Sequence, residues 1–144
     1  MHTVFSVGYT GFPYEDLLRQ VRDRRLLLVD VRLKPVSRWH PRWAKASLAD
    51  ALGDSYAWVP ELGNLNYKGG PVALQDVNAG LTKVRTWLED RDVALLCTCP
   101  DPATCHRTTV TDLLKREGYP IEPLIPTKPA ARRVPAKTAT TSLF

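Results

Sequence analysis

The stretch Val93-Ala-Leu-Leu-Cys97, followed after a short polar segment by Cys105-His106-Arg107 and a helical pattern running to Glu117, decides the fold. An unbroken apolar run before a polar turn marks a strand covered on both faces, as parallel sheets require. Gly118 stands where a C-cap glycine would, and Pro120 lies just beyond it. The same order of strand and helix recurs upstream. Residues 4–7, 26–31, 56–59, 93–97 and 121–125 read as strands, and 14–24, 41–52, 74–89 and 105–117 as the helices between them. Pro13 suits a first helical turn. Strict alternation predicts a three-layer α/β fold, a mostly parallel sheet of about five strands with helices on both faces and right-handed crossovers. Strand order does not follow from the pattern.

At 144 residues the chain has the size of one domain and can bury a core without disulfides. No apolar run approaches the roughly 18 residues that span a bilayer, and the opening Met1-His-Thr-Val-Phe-Ser lacks a basic stretch before an apolar core. The expectation is a cytoplasmic protein with no membrane contact. All three cysteines fall within residues 97–105, which suits thiols in a reducing compartment better than a disulfide framework. The net charge of +5 suggests a nucleic-acid partner until it is located. Lys128, Arg132, Arg133 and Lys137 account for four of the five, leaving +1 on residues 1–126. We therefore expect a nearly neutral domain over residues 1–126 and a basic, flexible tail rich in Pro, Ala and Thr over 127–144. No motif indicates a cofactor.

The chemistry-bearing residues follow the strands, at the sheet edge where ligands settle in open α/β folds. Ser6-Val-Gly8-Tyr9-Thr10-Gly11 can present backbone N–H groups to an anion, and a plain tight turn reads the same way. In Leu28-Val-Asp30-Val31-Arg32, period-two alternation sets Asp30 and Arg32 on one face, as a site pair or as an ion pair ordering the loop. Lys34 to Trp43, with Ser37 and Arg38, mixes cations with two indoles; such a segment can clamp phosphate and stack a base, or be a solvated loop anchored by its tryptophans. Pro60-Glu61-Leu62-Gly63 brings a carboxylate to the same edge. The cysteine segment admits three readings. Cys105 at a helix start beside His106 and Arg107 is a thiol expected to ionise easily. Cys97, Cys99, Cys105 and His106 are all metal-ligand types, although Cys-x-Cys-x5-Cys-His is unlike common zinc modules and no metal is assigned. In the plainest reading Cys97 is core, Thr104 caps the helix and Arg107 pairs with a carboxylate.

Taken together these motifs resemble the family known as domain of unknown function 488. The resemblance rests on residues 6–11, Leu-Val-Asp-Val-Arg at 28–32, Pro35 with Ser37-Arg38, Pro60 to Gly63, and Leu-Leu-Cys-Thr-Cys at 95–99 with Cys105-His106-Arg107, and it runs over residues 3–125. It implies an α/β domain whose signature polar residues gather near strand ends, without an established activity. Many members of that family carry Glu where this chain has Cys99, so the resemblance implies a thiol in place of a carboxylate.

The leading functional expectation is an enzyme acting on an anionic substrate, nucleotide or nucleic-acid related, at the strand C-terminal edge. Cys105, His106 and Asp30 are its candidate catalytic residues, with Cys105 as nucleophile or polar ligand and Asp30 or His106 as base. Gly8, Tyr9, Arg32, Ser37, Arg38, Glu61 and Arg107 are its candidate binding residues, the arginines being suited to bidentate anion contacts. The alternatives are a non-catalytic nucleic-acid or partner-binding module using the Lys34 to Trp43 loop and the tail, and a thiol site for redox exchange or metal capture on Cys97, Cys99 and Cys105.

Overall fold

The computed structural model describes residues 2–36, 38–98 and 105–127. Five strands, β1 (Val4–Gly8), β2 (Leu27–Asp30), β3 (Tyr56–Trp58), β4 (Val93–Cys97) and β5 (Ile121–Pro123), form one parallel sheet in the order β3-β2-β4-β1-β5. Helices α1 (Tyr14–Asp23), α2 (Lys45–Leu52), α3 (Val77–Leu88) and α4 (His106–Arg116) lie in the crossovers. The architecture is the three-layer α/β sheet expected from the alternation.

Period two assigns the layers. Val4, Leu27, Val29, Val31, Val93, Leu95 and Cys97 pack on one face with Leu81, Val84 and Leu88 of α3 and Val110 and Leu114 of α4. Phe5, Val7, Leu26, Leu28, Ala94 and Leu96 pack on the other with Leu17, Leu18 and Val21 of α1 and Leu48 and Leu52 of α2. The connections β1 to β2 and β2 to β3 step toward one edge of the sheet, and β3 to β4 and β4 to β5 step toward the other. With right-handed crossovers, opposite steps place their helices on opposite faces. The direction reverses between the neighbours β2 and β4, so their outgoing loops diverge and leave a crevice at their carboxyl ends.

Two helices are shorter than their sequence periodicity. Over residues 41–52, Pro41–Trp43 form a 3-10 turn and Ala44 is extended (φ −71°, ψ 153°), so α2 starts at Lys45. The break accompanies burial of Trp43, which stacks on Tyr9 at 4.9 Å between ring centroids and meets Tyr14 edge-on at 5.0 Å. Over residues 74–89 the helix starts at Val77, because the Asp76 carboxylate caps it by accepting from the Ala79 N–H at 3.2 Å, while Leu74 pairs with Asn64. Thr127, grouped with the tail from sequence, docks on α1: its N–H donates to Asp16 Oδ2 at 2.8 Å, and its hydroxyl meets Asp16 and Arg19. The rest of the expected tail, 128–144, lies outside the described residues. Among the described residues no helix is long and apolar enough to cross a membrane.

The loop after β3 lies directly against the segment leaving β2, and Gly63 permits it. A methyl group there would stand 2.6 Å from the Leu33 Cα, a backbone atom that cannot swing aside. Gly63→Ala is expected to lower the unfolding free energy by about 1–3 kcal/mol in urea melts followed by circular dichroism. An unchanged midpoint would show that the two segments are free to separate.

Candidate functional site

At the end of β2, the alternation that puts Asp30 and Arg32 on one face brings them into a buried, bidentate pair. Arg32 donates from Nε to Asp30 Oδ1 at 2.8 Å and from Nη2 to Oδ2 at 2.6 Å, and its backbone N–H reaches Oδ1 at 3.1 Å. The Tyr56 hydroxyl donates to Oδ2 at 2.5 Å. An ionised carboxylate has about four acceptor positions, and all are taken here by the protein. The base role expected of Asp30 is therefore closed off in this geometry; the carboxylate positions Arg32 instead. Burial is the largest influence on the Arg32 guanidinium and pulls its pKa down, but the Asp30 bond and charge outweigh it and the net shift is upward. Burial first, and then Asp30, raises the Tyr56 phenol. Arg32 Nη2 also donates to the Trp43 carbonyl at 2.7 Å, and the guanidinium lies 5.4 Å from the Tyr9 ring centroid.

At the end of β4, the side chain of Cys97 faces α4. Cys105 is the N-cap of that helix rather than a residue within it (φ −109°, ψ 139°), and its sulfur accepts from the Arg107 N–H at 3.5 Å. The capping expected of Thr104 falls outside the described residues. His106, the first helical residue, places Nδ1 at 3.7 Å from Cys97 Sγ and 4.0 Å from Cys105 Sγ, while Nε2 lies 2.8 Å from the Val31 carbonyl oxygen. That carbonyl can only accept, so Nε2 carries a proton. The helix-start argument for an easily ionised Cys105 is reversed by the structure: the adjacent Cys97 thiol and then burial push the Cys105 thiol up to about 12. A thiol so placed is protonated at neutral pH and is not an activated nucleophile. Burial opposes charge on His106, yet its bonds to Cys105 and to the Val31 carbonyl prevail and raise its pKa.

Two cavities flank this edge and divide the expected site residues between them. A cleft of about 360 Å³ occupies the crevice between β2 and β4, bounded by Arg32, Leu33 and Lys34, by Asn64 and Tyr67, and by Cys97, Thr98 and His106. A larger cavity of about 500 Å³ lies beside β1 and β5 and takes Gly8 and Arg107 with Ser6, Thr10, Thr111 and Leu124. Arg107 donates from Nε to Ser6 Oγ at 2.6 Å, which ties the guanidinium to the wall of that second cavity. We favour the cleft as the site because it coincides with the reversal in strand connections and carries the thiol and imidazole groups. Tyr9 is buried behind it, stacked on Trp43. Glu61 is drawn away to α3, where Lys83 Nζ lies 2.6 Å from Oε2 and holds the carboxyl below its usual range. Arg38 is exposed on the loop after β2, and Ser37 and Cys99 lie outside the described residues. Sequence reasoning did not single out Asn64 or Tyr67; the signal that points to them is the absence of any acid between residues 62 and 75.

Residues 14–73 match the family model described as Domain of unknown function DUF488. The chain thus resembles this family across β2, the loop after it, and the Pro60 to Tyr67 segment. The matched span holds Asp30, Arg32 and Lys34 as well as Asn64 and Tyr67, and it stops before Cys97 and His106. It is narrower than the 3–125 span of the resemblance read from the sequence, and Ser6 to Gly11 and Cys105 to Arg107 fall outside it. No curated protein and no solved structure gives a significant match.

The buried pair makes a sharp stability prediction. Asp30→Ala strips the compensating charge from a buried guanidinium, and about 3–5 kcal/mol of unfolding free energy should be lost. Tyr56→Phe removes one hydrogen bond to a carboxylate that keeps its other donors, and should cost about 1.5–3 kcal/mol. Equal and small losses in urea unfolding would mean that water reaches the pair.

Proposed function

We propose that the protein is an enzyme acting on an anionic, nucleotide-related substrate bound in the cleft between β2 and β4. The observation that carries this reading is that Lys34 and Tyr67 border the crevice, with Lys68 beside the Tyr67 ring, and that the segments supplying them hold no acid. Residues 31–49 and 62–75 contain Arg32, Lys34, Arg38, Arg42, Lys45 and Lys68 and no Asp or Glu. Arg42 is offset by Glu15 and Arg32 by Asp30, which leaves Lys34, on the wall of the cleft, and Lys68, beside Tyr67, to set the sign next to it. Lys34 Nζ and Lys68 Nζ lie 5.6 and 5.8 Å from the centroid of the exposed Tyr67 ring. A ring flanked by ammonium groups suits a base stacked on Tyr67 with its phosphate beside Lys34. Arg32, held in place by Asp30, forms a fixed wall, and Cys97 and His106, with Cys105 against the imidazole, form the floor. Thiols kept reduced fit a cytoplasmic setting.

The test is calorimetric titration of a panel of nucleoside mono- and diphosphates, with turnover followed by chromatography. Tyr67→Ala and Lys34→Ala are each expected to weaken the best ligand by about tenfold or more, the loss of about 1–3 kcal/mol associated with a stacked base or a phosphate contact. If no nucleotide binds the unaltered protein at millimolar concentration, the substrate class is wrong.

One observation favours a second reading, a nucleic-acid-binding module without catalysis. Trp39 is 83 % exposed next to the exposed Arg38, and among the described residues the other large exposed apolar side chains are, apart from Ile125, in residues 36–72. An indole beside a cation is a stacking platform for single strands. Such binding would fall steeply with salt as counterions are released, and Trp39→Ala would weaken it. Salt-independent binding, or none to any single-stranded DNA or RNA, would remove this reading.

A further inference from the structure

We propose that Cys97, Cys105 and His106 form a binding site for a zinc-class divalent metal ion at the floor of the cleft. Their donor atoms all lie within 4.8 Å of one another, and all three residues are buried. The two sulfur to nitrogen separations, 3.7 and 4.0 Å, are close to what such an ion imposes. Tetrahedral zinc, with bonds of about 2.3 Å to sulfur and 2.0–2.1 Å to nitrogen, holds those donors about 3.5 Å apart. Each sulfur to nitrogen edge needs a contraction of about half an ångström or less, and the sulfurs, within 4.8 Å of each other, one of at most about 1 Å.

The imidazole is already oriented as a ligand. The Val31 carbonyl accepts from Nε2–H at 2.8 Å, which leaves the lone pair on Nδ1, the nitrogen facing both sulfurs. Metal-bound histidines characteristically donate their second ring N–H to a carbonyl or carboxylate in this way. The donors also sit on fixed elements: Cys97 is the last residue of β4, Cys105 the N-cap of α4 and His106 its first residue. Two thiols and an imidazole are soft and borderline donors, which favour zinc over magnesium or calcium. On binding, each thiol gives up its proton to solvent, and the two thiolates balance the charge of the ion. Three protein donors leave one tetrahedral position, and because Cys97 and His106 border the cleft, water or a substrate atom from the cleft takes it.

The site does not depend on the substrate class argued above, and its test is separate. The full chain, reduced and kept free of oxygen and chelator, is loaded with zinc, washed and analysed for metal, and titrated in parallel with cobalt. About one ion per chain is expected, with the intense visible bands of tetrahedral cobalt and a thiolate-to-cobalt charge-transfer band in the near ultraviolet. Cys97→Ser and His106→Gln should each lower retained metal by about tenfold or more while the far-ultraviolet circular dichroism is kept. If the variants fail to fold, the cobalt spectrum of the unaltered chain decides alone. No retained metal, a weak six-coordinate cobalt spectrum, or folded variants that keep the ion would each overturn the proposal, as would a chain that stays metal-free because Cys97 and Cys105 have formed a disulfide under reducing conditions. Nucleotide titration of the metal-free chain reports on the cleft independently of all these outcomes.

Discussion

β4 is buried along all five of its residues and lies between β2 and β1 in the middle of the sheet. A central parallel strand must be covered on both faces, and right-handed crossovers allow this only if some connections run to one edge and some to the other. The chain meets the requirement by turning back after β3. α1 and α2 then cover one face and α3 and α4 the other. The divergence of the loops leaving β2 and β4 is the geometric remainder of that solution. The cleft therefore takes little from the core, since apart from Cys97, the last residue of β4, it is lined by residues of the segments that follow the strands.

The fold was legible because its signals are local. Runs such as Val93 to Cys97 have only one comfortable environment, and the pairing of Asp30 with Arg32 follows from strand alternation alone. Strand order depends on packing between distant segments, so the sequence could not show that Gly8 and Arg107 border one cavity and Arg32 and His106 another. The relation of Cys105 to His106 was obscured for a different reason. Two successive residues inside a helix diverge by about 100°, but Cys105 has extended backbone angles as the N-cap, and both side chains turn toward Cys97. The same contact explains the thiol. A helix start lowers a thiol pKa, but here Cys97 and then burial act in the opposite sense and prevail. Tyr67 escaped notice because the segment after β3 has no periodicity to set its face.

The three residues Asp30, Val31 and Arg32 join the two sides of the site. The side chains of Asp30 and Arg32 turn to the face of α1 and α2, where Tyr56 and the Trp43 carbonyl complete their bonding. The Val31 side chain turns to the face of α3 and α4, its N–H donates to the Leu96 carbonyl at 3.0 Å, and its carbonyl receives His106 Nε2–H. One stretch of backbone thus aims a guanidinium at one wall of the cleft and an imidazole at its floor. Replacing a buried ion pair with apolar groups is often neutral for stability, so net stabilisation is a weak reason for Asp30 and Arg32 to be there. Position is a stronger one. The pair is bidentate and further bonded to Tyr56 and Trp43, which restricts motion of the segment whose middle carbonyl sets the histidine tautomer, and side chains brought together from separate elements keep their alignment only when such supports hold them to within about 0.5 Å.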